Sequence, residues 1–148
     1  MNESCIAKTE ADSPFWAILL QVSQRVETRL EAALAESGLT LAKIGVLNHL
    51  VKAGESLPLS RLAERSSCVK SNMTQLVDRL EADGLVKRAD HPEDRRAVLA
   101  AITEEGLRRY EAGGRALAAL ERELLEDFTD EERAVFTEYL RRFGEASS

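Results

Sequence analysis

The stretch LSRLAERSSCVKSNMTQLVDRLEADGLVKRAD, Leu59 to Asp90, constrains this chain most. It holds two helical patterns too short to be stable in isolation, so they must pack on each other. In the first, Leu59, Leu62 and Ala63 share a face; in the second, Val69, Met73, Leu76, Val77 and Leu80 do, and Gly84 supplies the stop. LVKRA and AVLAAI then read as two strands joined by DHPEDRR, the first mixing apolar and basic residues and the second almost continuously apolar. The centre is therefore expected to be a helix pair carrying a hairpin.

Long helical patterns flank it. Residues 1–12 are polar and aperiodic, and read as a tail. Ser13 and Pro14 suggest an N-cap and first helical position, after which Phe15, Leu19, Val22, Val26, Leu30 and Ala33 recur at helical spacing until Ser37-Gly38. Thr40 is a second candidate N-cap, ahead of Leu41, Ile44, Leu47, Leu50 and Val51, and a brief extended piece around SLPL follows Gly54. Beyond the hairpin, Thr103 opens a helix whose stripe is Leu107, Tyr110, Leu117, Leu120, Leu124 and Phe128, with Gly113-Gly114 either bending it or admitting a neighbouring helix. A last helix starts at the capping box TDEE, Thr129 to Glu132, and carries Val135, Phe136, Tyr139, Leu140 and Phe143. The terminal helices hold more apolar surface than so small a centre needs, and a second copy of the chain is the natural place to bury it.

At 148 residues, 44% hydrophobic and 31% charged, the chain fits one globular domain with helical extensions. No export signal or membrane span is read in it, and a cytoplasmic location is expected. Cys5 and Cys68 lack CxxC spacing, His49 and His91 lie far apart, and neither a metal nor a cofactor is expected. No carboxylate pair, Ser-His-Asp set or glycine-rich phosphate loop points to an enzyme. The net charge of −6 is unevenly spread. Ser60 to Arg96 carries eight basic residues against seven acids, and the rest twelve against nineteen, a modest bias toward anion binding in the centre.

A tight helix pair followed by a hairpin with a basic tip is the winged helix-turn-helix arrangement, mainly α with a small β-hairpin wing. From about Phe15 to Phe143 the chain resembles the MarR family of bacterial transcription regulators. The resemblance is carried by GLTLAKIGVL, LSRLAERSSCVKSNMTQLVDRLEADGLVKR, the DRR of the wing and ITEEG after it. Lys43, where the family often has glutamine, and Cys68, in a turn usually filled by small or apolar residues, depart from the pattern. The resemblance implies a homodimer with interlocking terminal helices, two winged modules reading the half-sites of a near-palindromic double-stranded operator, and more often repression than activation. The expected divisions are a tail (1–12), a dimerisation helix (13–37), the DNA-binding module (38–102) and the C-terminal dimerisation helices (103–148). The rival reading is a winged-helix interaction or dimerisation module without DNA binding.

The recognition helix is expected from about Lys70 to Asp83. Lys70, Ser71, Asn72, Thr74, Gln75 and Arg79 lie off its apolar face, where Asn and Gln suit adenine and Ser, Thr and Lys suit phosphates or groove edges. A hairpin tip is narrow enough to enter or straddle the minor groove, whose negative potential attracts arginine, so Arg95 and Arg96 are expected at that groove or, on the blander reading, in a surface salt-bridge cluster, with Lys87 and Arg88 on phosphates or simply solvated. By the resemblance, Asp94 orients Arg96 for insertion and Arg95 takes a phosphate. Two readings remain for Cys68. It is either a small packing residue, the commoner use of a lone cysteine, or a thiolate favoured by a helix N-terminus and Lys70, whose oxidation would disturb docking. Peroxide-sensing family members carry a cysteine near the start of the first long helix, where this chain has SPFWAILL. Others respond to small aromatic or phenolic anions in a cleft between dimer helices and winged module. Phe15, Trp16, Arg25 and His49 are candidates to line it, or are plain core.

Overall fold

The computed structural model describes residues 14–66 and 70–147, with the side chains of Lys70 and Ser71 outside that description. Among the described residues the elements follow in the order α1 (Phe15–Leu34), a 3-10 turn (Ala35–Ser37), α2 (Leu41–Ala53), β1 (Leu57–Pro58), α3 (Leu59–Arg65), α4 (Lys70–Ala82), β2 (Val86–Asp90), β3 (Val98–Ile102), α5 (Glu104–Leu124) and α6 (Asp130–Ala146). Among the described residues no helix is long and apolar enough to cross a membrane.

The helix starts follow local chemistry. Thr40 Oγ1 accepts the N–H of Lys43 at 3.2 Å, and Thr103 Oγ1 accepts that of Gly106 at 3.0 Å. At Thr129 the expected capping box forms in full, each partner satisfying the other's backbone donor. Pro14 occupies the N-cap of α1 rather than its first helical position, and Ser13 lies outside the described residues. Gly84 ends α4 at φ +74°, with the N–H of Leu85 donating to Leu80 and that of Gly84 to Glu81. This is the Schellman closure, which favours glycine because other side chains crowd the backbone there.

The hairpin has a third strand. SLPL does not merely run extended: Leu57 pairs with Ala100 and Pro58 with Leu99, giving an antiparallel sheet of order β1-β3-β2. Central β3 is the near-continuously apolar one, with Ala100 fully buried, and Pro58 sits on the edge strand, where its missing donor costs no ladder bond.

One core runs through the centre, from Leu34 and Leu39 through Val46, Leu47 and Leu50 of α2, Leu62 of α3, Met73, Val77 and Leu80 of α4, to Leu85, Val86 and Ala100. Leu59, Leu62 and Ala63 point inward as their spacing requires. Val69, assigned to the same core by spacing, lies outside the described residues. Gly113 lets α5 approach closely: a Cβ there would lie 3.0 Å from Ile44 and 3.1 Å from both Leu34 and Leu39. The helix does not break at the glycine pair, so close approach is the reading the structure supports.

The flanking helices carry the expected surplus of outward apolar surface, and two members of the expected α5 stripe differ. Leu107 is 40% exposed, and Phe128 is not on α5 at all but in the turn before α6, stacked on Phe136 at 6.4 Å. α6 has no buried residue, and its Val135, Phe136, Tyr139, Leu140 and Phe143 face outward. Phe15, Trp16, Ile18, Leu20 and Val22 on α1 do the same. Within one chain these side chains remain roughly half exposed.

Candidate nucleic-acid interface

α4 presents two contrasting faces. Met73, Val77 and Leu80 are fully buried, and the intervening Asn72, Thr74, Gln75 and Arg79 are exposed. Helical spacing alone separates them, since burying positions 73, 77 and 80 turns the others outward. Lys70 and Ser71 begin the same helix, and Cys68, the suggested redox site, lies outside the described residues.

The wing stands beside α4. Its strands pair from Val86 with Ile102 to Asp90 with Val98, and the loop is closed by the N–H of His91 donating to Ala97 at 3.3 Å and that of Ala97 to Asp94 at 3.1 Å. Arg95 and Arg96 are exposed at the tip. Asp94 acts on Arg96 through the backbone. Its Oδ1 accepts the backbone N–H of Arg96 at 2.9 Å, and among the described residues no ion pair joins the two side chains. Asp94 therefore sets the backbone from which Arg96 departs, the usual action of Asx residues in turns, and leaves the guanidinium uncommitted.

Arg88 has partners within the chain. Strand alternation puts Lys87 outward and turns Arg88 to the same face as buried Val86. Its guanidinium pairs with Asp78, lies 3.9 Å from Glu81 and donates to the carbonyl of Thr74 at 3.3 Å. Arg88 is thus held against α4 rather than offered to a phosphate, and of the two basic residues on this strand only Lys87 is exposed. Spacing could have found this: Thr74, Asp78 and Glu81 fall on one side of a helix, and Arg88 on the alternate position of the strand facing it.

Between the wing and α4 lies a cleft of about 470 Å³ lined by residues that include Ser60, Thr74, Arg88, Asp94, Arg96 and Val98. A second ion pair, Lys43 Nζ to Asp83 Oδ2 at 2.7 Å, ties α2 to the residue just past α4. The proposed ligand cleft is not assembled within one chain. Phe15 meets Phe143 of α6 edge-on at 5.4 Å, Trp16 is 64% exposed, Arg25 is exposed on α1, and half-buried His49 belongs to α2. Neither the wing cleft nor the groove along α6 is lined by any of the four. Among the described residues no group of three or more His, Cys, Asp or Glu is placed to hold a metal ion.

The helix pair, its exposed polar face and the three-stranded wing define a winged helix-turn-helix protein. A profile described as the MarR family matches residues 37–97. The chain is 32% identical over 123 residues to the transcriptional repressor YetL of Bacillus subtilis, spanning 82% of this chain and 74% of that protein. It is 34% identical over 99 residues to the repressor MdtR of the same organism, spanning 65% and 63% respectively. Among solved structures, a Cys-to-Ser variant of Escherichia coli MarR complexed with operator DNA superposes with a TM-score of 0.78 at 25% identity, covering 88% of this chain and 93% of that one. PcaV of Streptomyces coelicolor, solved with its natural ligand, gives 0.79 at 28% identity, covering 93% and 96%. The chain belongs to the MarR family and is a transcriptional regulator.

Proposed function

We propose that this chain is a homodimeric repressor that places α4 in the major groove and the wing arginines in the minor groove of each half-site of a near-palindromic operator. The observation that carries this reading is the pairing of the exposed polar face of α4, with Asn72, Gln75 and Arg79, with an uncommitted Arg95-Arg96 tip on the adjoining wing. Asn72 and Gln75 suit adenine edges, Lys87 a phosphate, and the tip arginines the narrow groove. The relatives YetL and MdtR are named as repressors, and the MarR structure holds operator DNA. The alternative of a winged module without DNA binding loses support from the same neighbours, and we read no catalytic role.

The outward apolar faces of α1 and α6 support the dimer, with residues 13–37 and 103–148 supplying it and 38–102 the DNA-binding module. A small ligand that alters the spacing of the two modules would release the operator, as PcaV's bound ligand suggests. Fluorescence anisotropy with DNA from the regulator's own upstream region, against scrambled duplex over a range of salt, tests the reading. Selective binding that falls steeply with salt is expected. Equal, weak affinity for both duplexes, and no sequence recovered by selection from random DNA, would exclude it.

A further inference from the structure

We propose that Arg88 is a positioning residue that fastens the wing to the recognition helix, so that the two meet duplex DNA as one rigid body. The inference rests on the DNA-binding reading above. Arg88 engages three points along one side of α4: the Thr74 carbonyl, the Asp78 carboxylate and the Glu81 carboxylate, which also accepts the backbone N–H of Arg88 at 3.0 Å. Residues spaced by four and then three stack on one helix face, so a single planar guanidinium can span them. The side chain is 28% exposed, its Nε is buried without a partner, and it forms part of the cleft wall between the two elements.

Leverage gives the contact its consequence. At about 3.3 Å per residue the wing tip lies roughly 15 Å beyond Arg88, so a tilt of roughly 10° at the strand would carry Arg96 by about 3 Å. That is enough to lose a groove contact whose geometry must hold to within hydrogen-bonding distance. Sheet pairing fixes β2 to β3, and the core contacts of Val86 and this clamp fix the strand to α4 from its own face.

Charge makes the proposal separable from simple phosphate binding. Removing a carboxylate beside a DNA-binding face ought to strengthen binding if only the local field matters. If Asp78 acts by holding Arg88, removing it weakens binding instead.

The experiment uses the full-length protein, a duplex selected by the wild type from random DNA, and a scrambled control. Asp78→Asn, Arg88→Met, their double variant and Lys87→Ala are compared, with thermal melts to confirm folding. Asp78→Asn is expected to lose about tenfold in affinity for the selected duplex, as for one misplaced base contact, with scrambled binding and salt slope unchanged. The double variant should be no worse than Arg88→Met alone, and Lys87→Ala should lower the salt slope by about one. Amide exchange measured without DNA should quicken over residues 86–102 in Asp78→Asn. Unchanged or tighter binding by Asp78→Asn, or a salt slope in Arg88→Met reduced as in Lys87→Ala, overturns the proposal. Should Arg88→Met fail to fold, Asp78→Asn, at an exposed site, decides alone. If the wild type selects no duplex, the DNA-binding reading has failed, and amide exchange alone judges the clamp: unchanged rates overturn it and faster rates uphold it.

Discussion

The carboxylate of Asp94 accepts the backbone N–H of Arg96 at 2.9 Å, so an acid at the wing tip shapes the turn from which the arginine projects. Arg96→Ala should weaken operator binding by roughly tenfold or more, ~1–3 kcal/mol for one groove contact. Arg122→Ala, an exposed charge in the last turn of α5, should change it far less. Asp94→Ala should also weaken binding, despite removing a negative charge, and Asp94→Asn, which keeps an acceptor oxygen, should not. Anisotropy titrations at fixed salt check all four, and equal losses from Arg96→Ala and Arg122→Ala would count against the wing assignment.

Gly106 and Gly45 should respond oppositely to the same substitution. A Cβ on Gly106 would lie 2.1 Å from the carbonyl oxygen of Leu85 and 2.9 Å from Ile102, so Gly106→Ala must push the Leu85 backbone, just ahead of β2, away from α5, costing about 1–3 kcal/mol. Gly45, inside α2, has nothing within 4 Å of that position, so Gly45→Ala should stabilise by about 0.5–1 kcal/mol through helix propensity alone. Urea titrations of the two variants beside wild type would show midpoints moving in opposite directions.

Glu105 gives a prediction in acid. Hydrogen bonds from Arg108, then from Arg109, hold its carboxyl down from 4.5 to about 2. A depressed carboxyl stabilises the fold above its unfolded value and loses that contribution as pH falls through the folded one. The stability difference between wild type and Glu105→Gln should therefore be complete at neutral pH, shrink below about pH 4.5 and be gone near pH 2. The residue is on the surface, so the difference will be small and salt-sensitive. A difference that stays constant across this window would remove the ion pairs as its cause.

Trp16, the single tryptophan, reports on the dimer. It is 64% exposed within one chain, on the same helix as outward Ile18 and Leu20. If a second copy covers this surface, emission should be blue-shifted at micromolar concentration and shift red on dilution through dissociation. Phe136→Glu, placing a charge in the groove of about 340 Å³ along α6, should give red-shifted emission and a monomer mass at every concentration. Sedimentation of the same samples provides the independent readout.

What the sequence by itself determined is what short-range geometry controls. The threonine caps, the Gly84 stop and the inward faces of α3 and α4 follow from periodicity and from side chains reaching backbone groups within a few positions, so they were legible before any fold was known. Tertiary structure alone decided the pairings between distant segments. A two-residue β1 has no period to read, and it becomes a strand only because β3 offers it a partner forty residues on. Arg88 is one more cation in the sequence until the sheet turns it onto Asp78 and Glu81, and Phe128 fits the helical stripe although α5 ends at Leu124. None of Phe15, Trp16, Arg25 and His49 lines the wing cleft or the α6 groove within one chain, and any cleft they share needs the second copy that the outward faces of α1 and α6 call for. Local pattern fixes which face of an element is apolar; which other element meets that face depends on loop closure and long-range packing, which no window of sequence contains.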